Sequence, residues 1–212
     1  MVKDFQSVDP HNRKTVDHSA ILHKATRVFF AKGLDETSIG DLARAAGVST
    51  STLYKCIGTK QDIFCAAVQE IAEREFVLAQ EPLRTSASGR EAITGLLEEN
   101  VRLCLHGPAA FSCLFTFNLL TASMPCARLH AMLLDRRRTV MKQVRTRLAQ
   151  SVRETELSTE VNVAIVAQLC VAVLSGLSFR ARDGVPASTL LSCIELFVDG
   201  IGFRDDWRPP KK

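Results

Sequence analysis

Apolar positions recur at spacings of three and four along most of the chain, and no stretch shows the strict alternation of a half-buried strand. Ile21, Leu22, Ala25, Val28 and Phe29 form a first helical stripe, which Gly33 ends in the manner of a C′ glycine. Ile39, Leu42, Ala43 and Ala46 form a second, short one. Ser38, three places before Asp41, resembles a capping box at its start, and Gly47 closes it. Val48 can then pack inward, and Ser49 can cap a third short helix running to about Cys56. Thr59, with Asp62 at the third position, opens a longer amphipathic helix. Its apolar face is Ile63, Phe64, Ala67, Val68, Ile71 and Ala72, and it runs to about Gln80.

"EPLRTSASGR" has Pro, Ser and Gly but no period, and reads as a linker. Beyond it the spacing predicts helices from Glu91 to about His106 and from Ala109 to about Ala122. A long helix follows Pro125, another spans Glu160 to Arg182, and a last one runs from Pro186 to about Ile201. The pattern thus predicts an all-α fold of about nine helices. It divides into a flexible tail over 1–17, a small helix-turn-helix domain over 18–66 and a larger helical domain over 81–203. The connecting helix continues to about 80, and 204–212 is a C-terminal tail.

Charge adds a direction. The net charge is only +4, but residues 1–60 hold nine Lys/Arg against six Asp/Glu, while the rest of the chain is nearly balanced. The excess at the N-terminal end hints at an anionic partner there. Val161 to Phe179 carries no charge and approaches the length of a membrane span, yet Asn162, Gln168, Ser175 and Ser178 interrupt it. A buried helix, at a core or a subunit interface, is the expectation. The seven cysteines form no CxxC pair, and each reads as a small buried hydrophobe in a reducing cytoplasm. The histidines at 11, 18, 23, 106 and 130 are scattered, and no Ser/His/Asp or metal-ligand spacing supports catalysis. No cofactor is expected.

Helix, Gly-containing turn, short helix is the arrangement of a helix-turn-helix DNA reader. The residues in it carry more. "FFAKGLDETSIGDLARAAGVSTSTLYKCIGTKQDIF" resembles the N-terminal domain of the TetR family of bacterial transcriptional regulators. The resemblance covers Ile21 to about Ala67 and includes the Gly33 stop, the Thr37–Ser38 start, the AAGVS turn, the T-L-Y triplet and Lys60. It implies a dimeric repressor released from a palindromic DNA operator by a small ligand.

The resemblance also implies roles. Thr37 or Ser38 would meet one strand's phosphates, and Thr52, Tyr54 and Lys60 would do so around the third helix. Hydroxyls and helix N-termini suit phosphate oxygens. Thr50, Ser51 and Lys55, with Ser49 a weaker candidate, would reach base edges. Each has a plainer reading: Ser49 as a cap, Tyr54 half-buried, Lys60 as a solvated surface lysine. Ser51 stands where the family often has Gly, and Cys56–Ile57 where it usually has an aromatic pair. Family dimers form through the last two helices. Aromatic and soft residues on the middle helices make Cys104, His106, Phe111, Cys113, Phe115, Phe117, Leu120, Met124 and Phe179 candidates for lining an apolar or aromatic effector pocket, with plain core as the alternative. The competing function is an all-α small-molecule carrier or enzyme with no DNA-binding role.

Overall fold

A computed structural model describes residues 17–106 and 127–209. Among these are eight helices and no strand. They are α1 (His18–Glu36), α2 (Ile39–Ala46), α3 (Thr50–Cys56), α4 (Lys60–Thr85), α5 (Gly89–His106), α6 (Ala127–Arg153), α7 (Val163–Arg182) and α8 (Ala187–Asp199). The chain divides into two compact units between Glu70 and Ile71, within α4.

In the first unit, polar side chains fix where each helix begins. Asp17 caps α1 by accepting from the Ala20 N–H at 3.2 Å. Ser38 and Asp41 form a full capping box on α2. Ser49 caps α3, and Thr59 exchanges hydrogen bonds with Asp62 at the start of α4. Gly33 leaves helical geometry at φ 82, a region open to glycine, so the backbone of α1 kinks there before continuing to Glu36. Gly47, also left-handed, ends α2 with its N–H on the Ala43 carbonyl at 2.9 Å. Apolar residues of four helices then meet in one core of Ile21, Ala25, Phe29, Leu42, Leu53, Ile63 and Phe64. Phe29 and Phe64 pack edge-to-face with ring centres 5.1 Å apart.

In the second unit α5 is central, packed on α6, α7 and α8. Its core includes Ile93, Leu96, Leu97, Leu148, Leu174 and Ile194. The chain after α8 turns back, where the Arg204 N–H donates to the Glu156 carbonyl and Leu157 pairs with Phe203.

Two expectations need correcting, and a third is refined. The linker over 81–90 is largely helical, because α4 continues to Thr85 through Pro82. Burial of Leu83 and close packing of Pro82 on Gly95 outweigh the backbone bond that proline removes. Ser88 and Glu91 then cap α5 reciprocally. The apolar helix α7 is only partly buried within the chain: Ala167, Cys170, Leu174, Leu177, Ser178 and Ala181 face inward. Ile165, Leu169, Ala172, Gly176 and Phe179, spaced by four and three, form an exposed stripe on its other side. It is the one described helix long and apolar enough to cross a membrane. The cysteines differ too. Cys104 and Cys170 are buried, and burial pushes the Cys170 thiol up to about 12, but Cys193 is exposed. The expected helix over 109–122 lies outside the described residues, as does all of the tail but Asp17.

Candidate nucleic-acid interface

The third helix is short, and one side chain, Leu53, is buried in the core. That single anchor leaves the remaining faces free. Thr50, Ser51, Tyr54 and Lys55 are exposed, and Thr52 is half-buried. Tyr54, 53% exposed, extends an aromatic ring and its hydroxyl into solvent. From Ser49 to Lys60 the chain has two lysines and no carboxylate. This is an outward, acid-free surface suited to an anion.

Ser49 joins the cap to this surface. Its Oγ accepts the Thr52 N–H at 3.0 Å and lies 2.8 Å from both the Ser51 and the Thr52 hydroxyls. The cap therefore pre-orients two hydroxyls that were expected to meet DNA. Both readings of Ser49 are compatible with this geometry, since capping occupies its oxygen and leaves the exposed neighbours free.

The Thr37–Ser38 alternative narrows. Thr37 is buried and its hydroxyl donates to the Gly33 carbonyl at 2.5 Å, closing the end of α1. It has no free face for a phosphate, so Ser38, exposed at the N-terminus of α2, is the accessible member of the pair. Ser38 donates to Asp41 Oδ2 at 2.8 Å. Hydrogen bonds from the Ser38 hydroxyl and backbone, with Lys32 3.2 Å away, hold the Asp41 carboxyl down at about 2. Thr59 lowers Asp62 in the same way. Lys60 is not a free surface lysine either. Its Nζ donates to the Leu34 carbonyl at 2.9 Å and lies 3.5 Å from the Asp35 carbonyl.

Residues 21–67, the whole of this helical cluster, match the sequence model described as bacterial regulatory proteins, tetR family. The N-terminal part of the chain is therefore similar to the TetR family. The uncharacterized HTH-type transcriptional regulator YezE of Bacillus subtilis is 33% identical over 100 residues, which is 47% of this chain and 52% of YezE. The match thus spans about half of that relative. The HTH-type transcriptional repressor ComR of Escherichia coli is 24% identical over 84% of this chain and 85% of its own length. The TetR family regulator CifR, solved as a cysteine mutant with 26-base-pair operator DNA, has the same fold. Its TM-score is 0.74 at 24% identity, covering 89% of this chain and 98% of that one. YezE, ComR and CifR are transcriptional regulators, which disfavours the carrier-or-enzyme alternative.

The residues expected to line an effector pocket separate. His106 lines an open groove of about 510 Å³ with Pro82, Gly95, Glu98, Arg102 and Leu191. Cys104 is buried and absent from that lining. Phe179 is 44% exposed on the outer stripe of α7, because the 3.6-residue period turns its neighbour Ser178 inward instead. Phe111, Cys113, Phe115, Phe117, Leu120 and Met124 lie outside the described residues. Sequence reasoning missed the polar residues of the interior. Asn100 donates to Ser178 at 2.7 Å, and Gln80 and Arg147 are buried. Their signal was a polar residue in register with an apolar stripe.

Proposed function

We propose that the protein is a dimeric repressor that reads a palindromic operator through α3 and is released by a small ligand in the second unit. The observation that carries the DNA-reading part is the outward face of α3. Thr50, Ser51, Tyr54 and Lys55 are exposed on a helix held by Leu53, with no acid from Ser49 to Lys60. Ser38, Thr52, Tyr54 and Lys60 then hold phosphates, while Thr50, Ser51 and Lys55 meet base edges. One such head has few contacts, and two linked heads on two half-sites gain by effective concentration.

The dimer reading is supported by the exposed stripe of α7, where Ile165 is 57% exposed, together with exposed Leu191 and Leu196 on α8. Large exposed apolar patches mark association surfaces. The small Ala172 and Gly176 within the stripe permit close helix approach. An effector releases DNA by favouring a conformation whose heads no longer fit the half-sites. A protein with this task resides in the cytoplasm.

Selection from random duplexes tests the reading. It should enrich an inverted repeat bound with steep salt dependence. Tyr54→Phe should weaken binding to every sequence, and Lys55→Ala should relax preference at one or two base pairs. Leu169→Arg should give a monomer in sedimentation and lower affinity for the repeat by about 100-fold or more. Enrichment of no symmetric site would sink the reading.

A further inference from the structure

A second groove lies within the first unit, between α1 and α2. It holds about 330 Å³ and is lined by Lys24, Arg27, Val28, Ala31 and Lys32 of α1 and by Ala45 of α2. It shares no residue with the outward face of α3 or with the groove at His106. We infer that it binds a small organic monoanion, one carboxylate on a compact apolar body.

Two contacts fix the geometry of the groove. At one end Lys24 Nζ donates to the Ala46 carbonyl at 3.4 Å. At the other, Lys32 Nζ lies 3.2 Å from Asp41 Oδ2. The earlier lysine of α1 meets the later residue of α2, so these two packed helices run antiparallel. Residues 24, 27, 28, 31 and 32 follow the three-and-four spacing of one helix face. At 1.5 Å per residue, Lys24 and Lys32 stand about 12 Å apart along it. Val28, Ala31 and Ala45 make the floor between them. Val28 is half-buried, and the two alanines are exposed but short. The stems of the long cations extend this apolar surface, and their charged heads form the rim.

Charge is unequal along the seam, and that sets the direction of the ligand. At the Lys32 end, Asp41 neutralises the lysine and also meets Arg44 at 3.2 Å. At the Lys24 end no carboxylate lines the groove. Lys24 meets only a carbonyl, which uses one of its three donors. Arg27, one turn further along, makes no hydrogen bond or ion pair among the described residues. A carboxylate takes the Arg27 fork at two points, with Lys24 beside it. A second negative charge at the far end would face Asp41, so a dianion is disfavoured. From Arg27 to the Lys32–Asp41 pair the floor runs about 8 Å, room for roughly six carbons of chain or one aromatic ring. Shape separates this ligand from an anionic membrane. Apolar residues that enter a bilayer project past their cations, and here they lie beneath them.

The test titrates the full-length protein with sodium octanoate and follows its backbone amides by NMR. The Val28, Ala31 and Ala45 amides should shift saturably, with a dissociation constant of about 1 mM or tighter. Octanamide lacks the charge, and suberate adds a carboxylate at the far end. Each should bind at least tenfold more weakly. Arg27→Gln should weaken octanoate at least tenfold, and Arg27→Lys should recover part of that loss. Ala45→Leu should fill the floor and abolish the shifts at Val28 and Ala31. Saturable binding that survives both Arg27→Gln and Ala45→Leu overturns the inference. Equal binding of octanoate and octanamide, or of octanoate and suberate, does so too, as does a lack of saturation at the three amides. Sedimentation with phosphatidylglycerol vesicles is the last arm. Protein carried down by vesicles and released by Arg27→Gln, without any shift from free octanoate, would overturn the inference and make the groove a membrane contact.

Discussion

Lys60, the first residue of α4, reaches back to the end of α1, where its Nζ donates to the Leu34 carbonyl at 2.9 Å. A cation at a helix C-terminal end satisfies carbonyls that have no partner in the helix and opposes the helix dipole. An ammonium has three donors, and Leu34 and Asp35 account for two directions. The third is free for a phosphate, so the same lysine ties the small domain together and offers a charge to DNA.

Lys60→Met should therefore act twice. It should destabilise the folded protein by about 1 kcal/mol, the usual size of a modest charge-assisted bond at a half-buried site. It should also lower the slope of log affinity against log salt by about one phosphate contact. Melting and salt titrations of one variant measure both. A stability loss with an unchanged salt slope would assign Lys60 to the helix end alone.

Ser49 separates capping from DNA contact. Ser49→Ala removes the oxygen that accepts the Thr52 N–H and should cost about 1 kcal/mol. Ser49→Asp restores the cap and should recover that stability, yet it places a negative charge on the acid-free face. Its DNA affinity should fall below that of the alanine variant. Equal affinity for the aspartate variant and the wild type would show that this end of α3 does not approach phosphate.

How far the first unit could be foreseen follows from where its information lies. Its starts are written in short local codes, Ser38 with Asp41, Ser49 before α3 and Thr59 with Asp62, so the sequence locates these starts within a residue or two, while the Gly33 stop falls three residues short of the end of α1. The second unit is decided by packing between distant segments. Pro82 reads as a breaker because the sequence does not reveal Gly95 beneath it. The same holds for Phe179. A continuous apolar run cannot tell the core face of α7 from its outer stripe, since both mix large apolar residues with small ones such as Ala. Thr37 looks like any exposed cap until Gly33 brings a carbonyl to its hydroxyl.

Asp41 gives the small domain an acid limb of known sign. Hydrogen bonds from Ser38, with Lys32 adding to them, lower its folded value from 3.8 to about 2. The folded state therefore holds its proton more weakly than the unfolded chain does. The stabilisation is complete above the unfolded value and is lost as pH falls from about 4 toward 2. Asp41→Asn should flatten this part of the stability curve and leave the curve between pH 6 and 8 parallel to wild type. Urea melts across that range measure it. An unchanged acid limb would mean that other carboxylates govern acid unfolding.

The junction of α5 with the return segment supplies the sharpest stability prediction. Glu156, 1% exposed, accepts the Gly89 N–H at 2.7 Å and the Arg90 N–H at 2.9 Å. A carboxylate 66 residues downstream thus caps α5 from outside the helix. Arg90 extends the junction to Asp199 at 2.6 Å and Asp205 at 3.1 Å, and lies over Phe203. Glu156→Ala leaves the buried Gly89 N–H without a partner, at about 1–3 kcal/mol, and the part-buried Arg90 N–H at less. Glu156→Gln keeps one acceptor oxygen and should cost less. Gly89→Ala should be as damaging as Glu156→Ala for a different reason, since its methyl meets both Ser151 Oγ and Glu156 Oε2. Adding Ser151→Gly relieves only the first overlap, so the double variant should recover part of the loss. Operator binding per folded molecule should survive in all of them. Full stability in Glu156→Ala would show that water caps α5 as well as the carboxylate does.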